Sequence, residues 1–360
     1  MAEIDAFFKL LNDKSGSDLH LSAGEQPALR IDGDIERIKY QKLSSDILRK
    51  LLYEITPEEK IKIFEETGDV DFGYEIPGLA RYRANYFMQK DGVNAVFREI
   101  PSKIQSAETL GLPPVINKLA TLPRGLVLVT GPTGSGKSTT LAAILDQANR
   151  LRKDHIITIE DPIEFVHTSK NCIVNHREVS VHTKTFTAAL RGALREDPDI
   201  ILVGELRDLE TISLAIEAAN TGHLVFSTLH TSSTVKTIDR IIEVFPAHEQ
   251  AQIRSSLSDS LRAVIGQTLF KRLHRSGRCV ALEVLIATPG VRNLIRENKS
   301  HQIPSMIQTG KIFGMQLMDE SIMALFKKKW ISAEEAYEKC FNKEQFRPFL
   351  KTPPADFTEI

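Results

Sequence analysis

The octapeptide Gly131-Pro132-Thr133-Gly134-Ser135-Gly136-Lys137-Ser138 constrains what this chain can fold into more than any other stretch. It fits GxxxxGK(S/T), the loop that cradles phosphate, and its flanks are the ones such a loop needs. Before it runs Leu126-Val127-Leu128-Val129-Thr130, a continuous apolar run of the kind expected for a strand buried on both faces of a parallel sheet. After it, from Ser138 onward, Leu141, Ile144, Leu145 and Ala148 repeat at helical spacing. Strand, glycine-rich turn and helix in that order bring backbone N–H groups together at a helix N-terminus, where phosphate oxygens bind. In this reading Gly131 to Ser138, with Thr139, hold ATP. Lys137 reaches the β- and γ-phosphates and the Ser138 hydroxyl ligates Mg²⁺.

The alternation continues downstream. Buried-type strands at Ile156–Ile159, Ile200–Val203 and Leu224–Thr228 interleave with helical segments at Phe186–Arg195 and Thr211–Ala219, which predicts a doubly wound α/β core over 123–270. Upstream, Ile4, Phe7, Phe8 and Leu11 share one helical face. Hairpins are predicted at 28–31 with 35–38, around Asp32-Gly33-Asp34, and at 80–88 with 93–100, around Asp91-Gly92. Residues 1–100 therefore form a small α+β domain, and 101–122, from Pro101 through Pro113-Pro114, a linker. Beyond Lys271 the spacing of Val291, Leu294 and Ile295, and of Met318, Ile322 and Leu325, predicts an all-helical region over 271–360.

Composition narrows the partners. With 46 basic and 47 acidic residues the formal charge is -1, so the overall balance announces neither nucleic acid nor an anionic membrane. Cys172, Cys279 and Cys340 are far apart and form no CxxC pair, which fits a reducing cytoplasm and suggests neither a disulfide framework nor a zinc knuckle. No apolar run approaches the ~18 residues a membrane span needs, and Met1 to Leu10 carries no basic leader, so membrane association is expected through a partner.

Phosphate chemistry also requires carboxylates. The strand Ile200–Val203 ends in Gly204-Glu205, at the edge where open α/β sheets bind ligands, and Glu205 is the expected Mg²⁺-side carboxylate. The strand Ile156–Ile159 delivers Glu160-Asp161-Pro162-Ile163-Glu164 to the same edge. Glu160 and Glu164 are candidates for orienting or deprotonating the attacking water, with the individual roles open. His230 emerges at the end of Leu224–Thr228, where an imidazole can sense the γ-phosphate. Cationic donors accelerate phosphoryl transfer, sometimes from a neighbouring subunit. Arg81 and Arg83 share one strand face and Arg98 lies on the partner strand, either as a functional basic face or as a solvated one. Arg195, one turn after Arg191, and Arg207 lie closer in sequence to the nucleotide strands, where ion pairing would explain them equally well.

Together these motifs resemble the type II/IV secretion ATPase superfamily and, within it, the PilT family of twitching-motility, type IV pilus retraction ATPases. The resemblance rests on the Walker A loop at 131–138, an Asp box at 157–164, a Walker B segment at 197–208 and a His box at 221–231. The stretch Val291-Arg292-Asn293-Leu294-Ile295-Arg296-Glu297 is similar to the AIRNLIRE signature of retraction motors, with Gly290 in place of its alanine and Asn298 where glycine is usual. His182 stands where relatives carry an acid.

The resemblance implies a RecA-like core, a PAS-like N-terminal domain and a homohexamer using ATP and Mg²⁺. It also implies that Arg81, Arg83 and Arg98 face nucleotide from the N-terminal domain. The partners it implies are an inner-membrane pilus platform protein and the pilus machinery. The location is cytoplasmic, peripheral at the inner-membrane face of the pilus base, without insertion into the membrane. Three alternatives are weighed against this. A pilus-extension or type II secretion ATPase would usually carry a longer N-terminal region and a tetracysteine zinc site. A nucleic-acid translocase would carry an aromatic-interleaved basic stripe. A non-hydrolysing regulatory paralogue would not need the complete acidic set.

Overall fold

The computed structural model divides the chain into two units, Met1–Lys103 with Pro162–Val166, and Ile104–Asp161 with His167–Ile360. The structure describes residues 2–351 apart from 15, 32, 101, 102, 275 and 276; Asp32 of the first expected turn and Pro101 of the expected linker lie outside the described residues.

The first unit contains α1 (Asp5–Asp13), β1 (Asp18–Ser22), β2 (Ala28–Ile31), β3 (Asp34–Arg37), α2 (Ser45–Ile55), α3 (Glu58–Thr67), β4 (Asp69–Ile76), β5 (Ala80–Gln89) and β6 (Gly92–Ile100). Its antiparallel sheet runs β3-β2-β1-β6-β5-β4. Both expected hairpins form, β2 with β3 and β5 with β6. Alternation along β5 sorts its side chains: Tyr82, Ala84 and Tyr86 are buried, while Arg81 and Arg83 stand on the opposite face. The apolar stripe of α1 closes over the buried face, with the Phe8 ring 4.4 Å from Tyr82 and 4.9 Å from Phe97. Ser44 caps α2 by accepting from the Ile47 N–H, and Leu48, Leu51 and Leu52 bury its inner face.

The second unit contains α4 (Val115–Leu119), β7 (Gly125–Thr130), α5 (Lys137–Leu151), β8 (His155–Glu160), β9 (Ile173–Glu178), α6 (Phe186–Ala193), β10 (Ile200–Val203), α7 (Leu209–Thr221), β11 (Leu224–Leu229), α8 (Thr234–Glu243), α9 (Gln250–Ser260), β12 (Leu261–Lys271) and β13 (Arg278–Ile286). Five helices follow: α10 (Pro289–Arg296), α11 (Ile303–Thr309), α12 (Met318–Lys327), α13 (Ala333–Lys339) and α14 (Lys343–Phe346). The sheet order is β13-β12-β7-β11-β10-β8-β9, parallel throughout except for β13. Both faces are covered, as the uninterrupted apolar strands require. Val127, Val129 and Phe226 pack with Leu141, Ile144 and Leu145 of α5. Leu126, Leu128 and Val225 pack with α6, α7 and α8 on the other face. Each fully buried aliphatic or aromatic side chain of this kind contributes about 1.5–3 kcal/mol.

The expected all-helical stretch from Lys271 is corrected at its start. Residues 278–286 form β13, antiparallel to β12 from Lys271↔Arg278 to Ala263↔Ile286. Cys279, Ala281, Leu282, Val284 and Leu285 are all buried there, a short apolar run that the sheet converts into a strand. Helices begin only at Pro289, capped by Thr288. Those that follow share the core of the sheet, since Phe270, Cys279 and Ala281 pack with Met318, Ile322, Leu325 and Phe346. Asn298 takes φ 57°. It ends α10 with the Lys299 N–H donating to Leu294 O at 2.8 Å, a cap asparagine tolerates. Among the described residues no helix is long and apolar enough to cross a membrane.

Candidate nucleotide site

The loop between β7 and α5 turns on Gly131, Gly134 and Gly136, at φ 146°, 76° and 87°. A Cβ at Gly131 would come within 2.3 Å of the Gln267 carbonyl oxygen, and one at Gly136 within 2.8 Å of Gln267 Nε2. Glycine at both positions therefore lets β12 close on the loop. Gln267, buried on β12, donates from Nε2 to Ser135 O at 2.7 Å and accepts at Oε1 from Thr140 Oγ1 at 2.7 Å. One amide thus ties the crown of the turn to the first turn of α5. Lys137 Nζ reaches Gly131 O at 3.0 Å and Pro132 O at 3.1 Å, which holds the ammonium at the loop. The Ser135 hydroxyl is buried without a hydrogen-bond partner among the described residues. A concave turn of glycines with an ammonium beside it fits phosphate oxygens.

Sequence reasoning missed Gln267. Its signal was a lone amide after the apolar run Ala263-Val264-Ile265-Gly266, in a strand that was not recognised. Gln267→Ala leaves Ser135 O and Thr140 Oγ1 without their partner, an expected loss of about 1–3 kcal/mol. Denaturant unfolding should report that loss. Titration with ATP should report weakened binding, larger than any change in turnover at saturation.

The sheet order β7-β11-β10-β8 lines up Gly131, His230, Glu205 and Glu160 along one edge. Gly131 N–H donates to Leu229 O at 3.3 Å, so the phosphate loop and the His230 turn leave neighbouring strands together. Gly204 is pinned on both sides, its N–H donating to Ile159 O at 2.8 Å and its carbonyl accepting from Thr228 Oγ1 at 2.7 Å. The next residue is thereby aimed. Glu205 Oε2 accepts from Arg207 Nε at 2.8 Å, and Oε1 lies 3.3 Å from His230 Nε2. Two residues singled out independently from sequence are thus in contact.

Glu160 is buried at the end of β8. Its Oε1 lies 4.0 Å from His176 Nδ1, which itself sits 2.7 Å from Thr158 Oγ1. His176, on β9, was not anticipated; only the strand pairing brings it beside Glu160. Its ring stacks on His167 at 5.9 Å, and its Nε2 accepts from the His167 N–H at 3.0 Å. Burial first, and the neighbouring His176 second, push the His167 imidazole down from 6.5 to about 4. Between those values the unfolded chain binds the proton and the folded chain does not. Stability should therefore fall by on the order of 3 kcal/mol as pH drops through this window, and level off outside it. Urea unfolding across that range, with His167→Phe as the variant that loses the slope, measures it.

The remaining candidates are dispersed. Glu164 is exposed, in the Pro162–Val166 segment that groups with the first unit. Arg81 lies 3.8 Å from Glu75 and Arg83 3.4 Å from Asp71, while Arg98 donates to Asp18 at 2.8 Å. Acids thus interleave the expected basic face. Arg195 is exposed beyond α6, which ends at Ala193. The chain there leads into the start of β10, where Asp197 O lies 3.0 Å from His155 Nδ1 at the start of β8. Within its own chain Arg195 therefore stands at the opposite edge of the sheet from the phosphate loop, because a parallel strand begins where its neighbours begin. Ser138 and Thr139 are half-buried on the first turn of α5. His182 accepts at Nδ1 from the Glu178 N–H at 2.9 Å and so closes the turn after β9.

Comparison with known proteins places this edge in context. The chain is 56% identical to the type IV pilus retraction ATPase PilT of Pseudomonas aeruginosa, over 92% of this chain and 96% of that protein. It is 51% identical to a twitching motility protein of Neisseria gonorrhoeae, over 88% and 85%. A crystal structure of the pilus retraction motor PilT with bound ADP superposes with a TM-score of 0.89 at 44% identity, covering 96% of this chain and 98% of that one. The family model described as type II/IV secretion system protein matches residues 11–346. With that model spanning both units, and the phosphate loop, Glu205 and His230 on one sheet edge, the chain belongs to the type II/IV secretion system protein family.

Proposed function

We propose that this protein is a motor ATPase that hydrolyses ATP to power retraction of type IV pili. The observation that carries the proposal is the 56% identity to a pilus retraction ATPase over 92% of the chain, with the phosphate loop, Glu205 and His230 brought to one edge. Lys137 and the loop amides bind the phosphates. Ser138 and Glu205 supply hydroxyl and carboxylate oxygens, the hard donors that Mg²⁺ takes alongside nucleotide phosphates and water. Bound there, Mg²⁺ would neutralise charge that develops on the phosphates. Glu160 and Glu164 hold and deprotonate the attacking water. His230, against Glu205, reports the state of the γ-phosphate to β11. Arg81, Arg83, Arg98 and Arg195 are cationic donors toward nucleotide, and for Arg195, at the far edge of its own sheet, that role requires a neighbouring subunit.

Further parts of the proposal are a homohexameric ring at the cytoplasmic face of the inner membrane, and a platform protein as the element moved. The domain division at 100, 122 and 270 supplies the moving parts. The test is phosphate release with Mg-ATP alongside oligomeric mass, followed by restoration of twitching in a strain lacking its retraction ATPase. Hydrolysis by a hexamer together with restored twitching supports the reading. Hydrolysis without restored twitching points to export or extension, and nucleotide binding without turnover to a regulatory paralogue.

A further inference from the structure

Two elements distant in sequence meet around a cavity of about 320 Å³ lined by Arg272, His274, Lys328, Lys329 and Trp330. Arg272 and His274 come from the turn between β12 and β13, the other three from the turn that follows α12. The Leu273 N–H donates to Trp330 O at 2.7 Å and locks the two together. The Arg272 guanidinium carbon lies 4.6 Å from the centre of the indole and Lys328 Nζ 5.2 Å from it, so the ring is flanked by two cations. Trp330 is 38% exposed and Leu273 49%. Among the described residues Arg272, Lys327, Lys328 and Lys329 form no ion pair, whereas Lys311, Lys339 and Arg347 in the same region do.

Ordinary helix chemistry explains only part of this. Cations at the end of α12 are favoured by its dipole, which accounts for Lys327 and Lys328. It does not account for Arg272 and His274, which approach from the sheet. Nor does it account for Lys329, which takes φ 58°. There the Lys329 N–H donates to Phe326 O at 2.8 Å and the Trp330 N–H to Leu325 O at 3.1 Å, a cap whose left-handed position favours glycine. A strained lysine at that position points to a use for its ammonium.

We infer that this cluster docks on the phosphates of an anionic phospholipid surface. Unpaired cations meet the headgroup phosphates, and Trp330 with Leu273 enters the boundary between headgroups and acyl chains. An exposed leucine tied to Trp330 through its backbone favours a bilayer over a nucleic acid, since bases would stack on the ring and leave Leu273 without a role. The inference uses none of the residues assigned to the nucleotide site, so it stands or falls independently of the retraction reading.

Trp330 is the only tryptophan in the chain, so intrinsic fluorescence reports this cluster alone. The experiment titrates the full-length protein with vesicles of phosphatidylcholine, and of phosphatidylcholine with phosphatidylglycerol, with flotation in parallel. Expected are a blue shift and flotation with the anionic vesicles only, both reversed by salt. Lys328→Ser with Lys329→Gly, the glycine suited to the left-handed cap, should lower partitioning about 25-fold, fivefold per cation, with ATP hydrolysis in solution unchanged. Equal binding to neutral vesicles, no shift with anionic ones, or wild-type partitioning by the double variant would overturn the inference. So would a shift with a single-stranded oligonucleotide but not with vesicles, which would make this a nucleic-acid site.

Discussion

Phosphate release by Lys137→Ala is expected at about a thousandth of the wild-type rate, the largest effect of any single substitution in this chain. Lys137 is the first residue of α5, and its Nζ already sits on the carbonyls of Gly131 and Pro132. The ammonium is therefore held at the loop before any phosphate arrives, so little reorganisation is left for the reaction itself. Alanine keeps the helix, since it is the best helix former, and removes the ammonium together with its stem and hydrogen bonds. The melting temperature should move little, because the lost hydrogen bonds are to loop carbonyls that water can serve. Arginine is not a substitute: a planar fork cannot occupy the place of a point donor between two carbonyls. The measurement is steady-state phosphate release at saturating Mg-ATP beside a thermal melt. Turnover within tenfold of wild type would show that the loop does not carry the chemistry.

What the sequence discloses, and what it hides, follows from the range of the interactions. The phosphate loop was legible because strand, turn and helix are contiguous and each carries its own pattern. Glu205 and His230 were legible as strand-end residues, and their 3.3 Å contact follows once β10 and β11 are neighbours. The hairpins of the first unit announced themselves through Gly33 and Gly92, both at positive φ. By contrast, β13 was hidden because a short buried strand and a buried helical turn look alike until a partner such as β12 is known. The helix α2 had its signals in plain view, Ser44 followed by Leu48, Leu51 and Leu52, and was not read. Gln267 and His176 act across the sheet, on Ser135 and near Glu160, over separations in sequence that no local pattern spans. Arg195 lies close in sequence to the nucleotide strands, but the intervening strand β10 carries the chain from one edge of the sheet to the other, which sequence nearness does not disclose.

Glu205→Gln is expected to lower turnover by about 10²–10³-fold while leaving nucleotide binding within a few-fold of wild type. Shape and volume are conserved, so the pinned Gly204 and the path of the chain persist. What changes is the donor set: the anionic carboxylate that faces both Arg207 and His230 becomes a neutral amide, one end of which can no longer accept. His230→Ala tests whether the two act as one unit. If His230 works through Glu205, the double variant should be no slower than Glu205→Gln within about threefold, because groups that act together are lost together. If His230 instead contacts the phosphates by itself, the two losses should multiply, since independent contributions add in free energy. Turnover at saturating Mg-ATP for the wild type, both single variants and the double variant decides between these, and nucleotide affinity measured alongside separates chemistry from binding. A multiplicative result would detach the histidine from the carboxylate and make the 3.3 Å contact a matter of packing; a non-multiplicative one makes Glu205–His230 the element through which the reacting edge signals to β11.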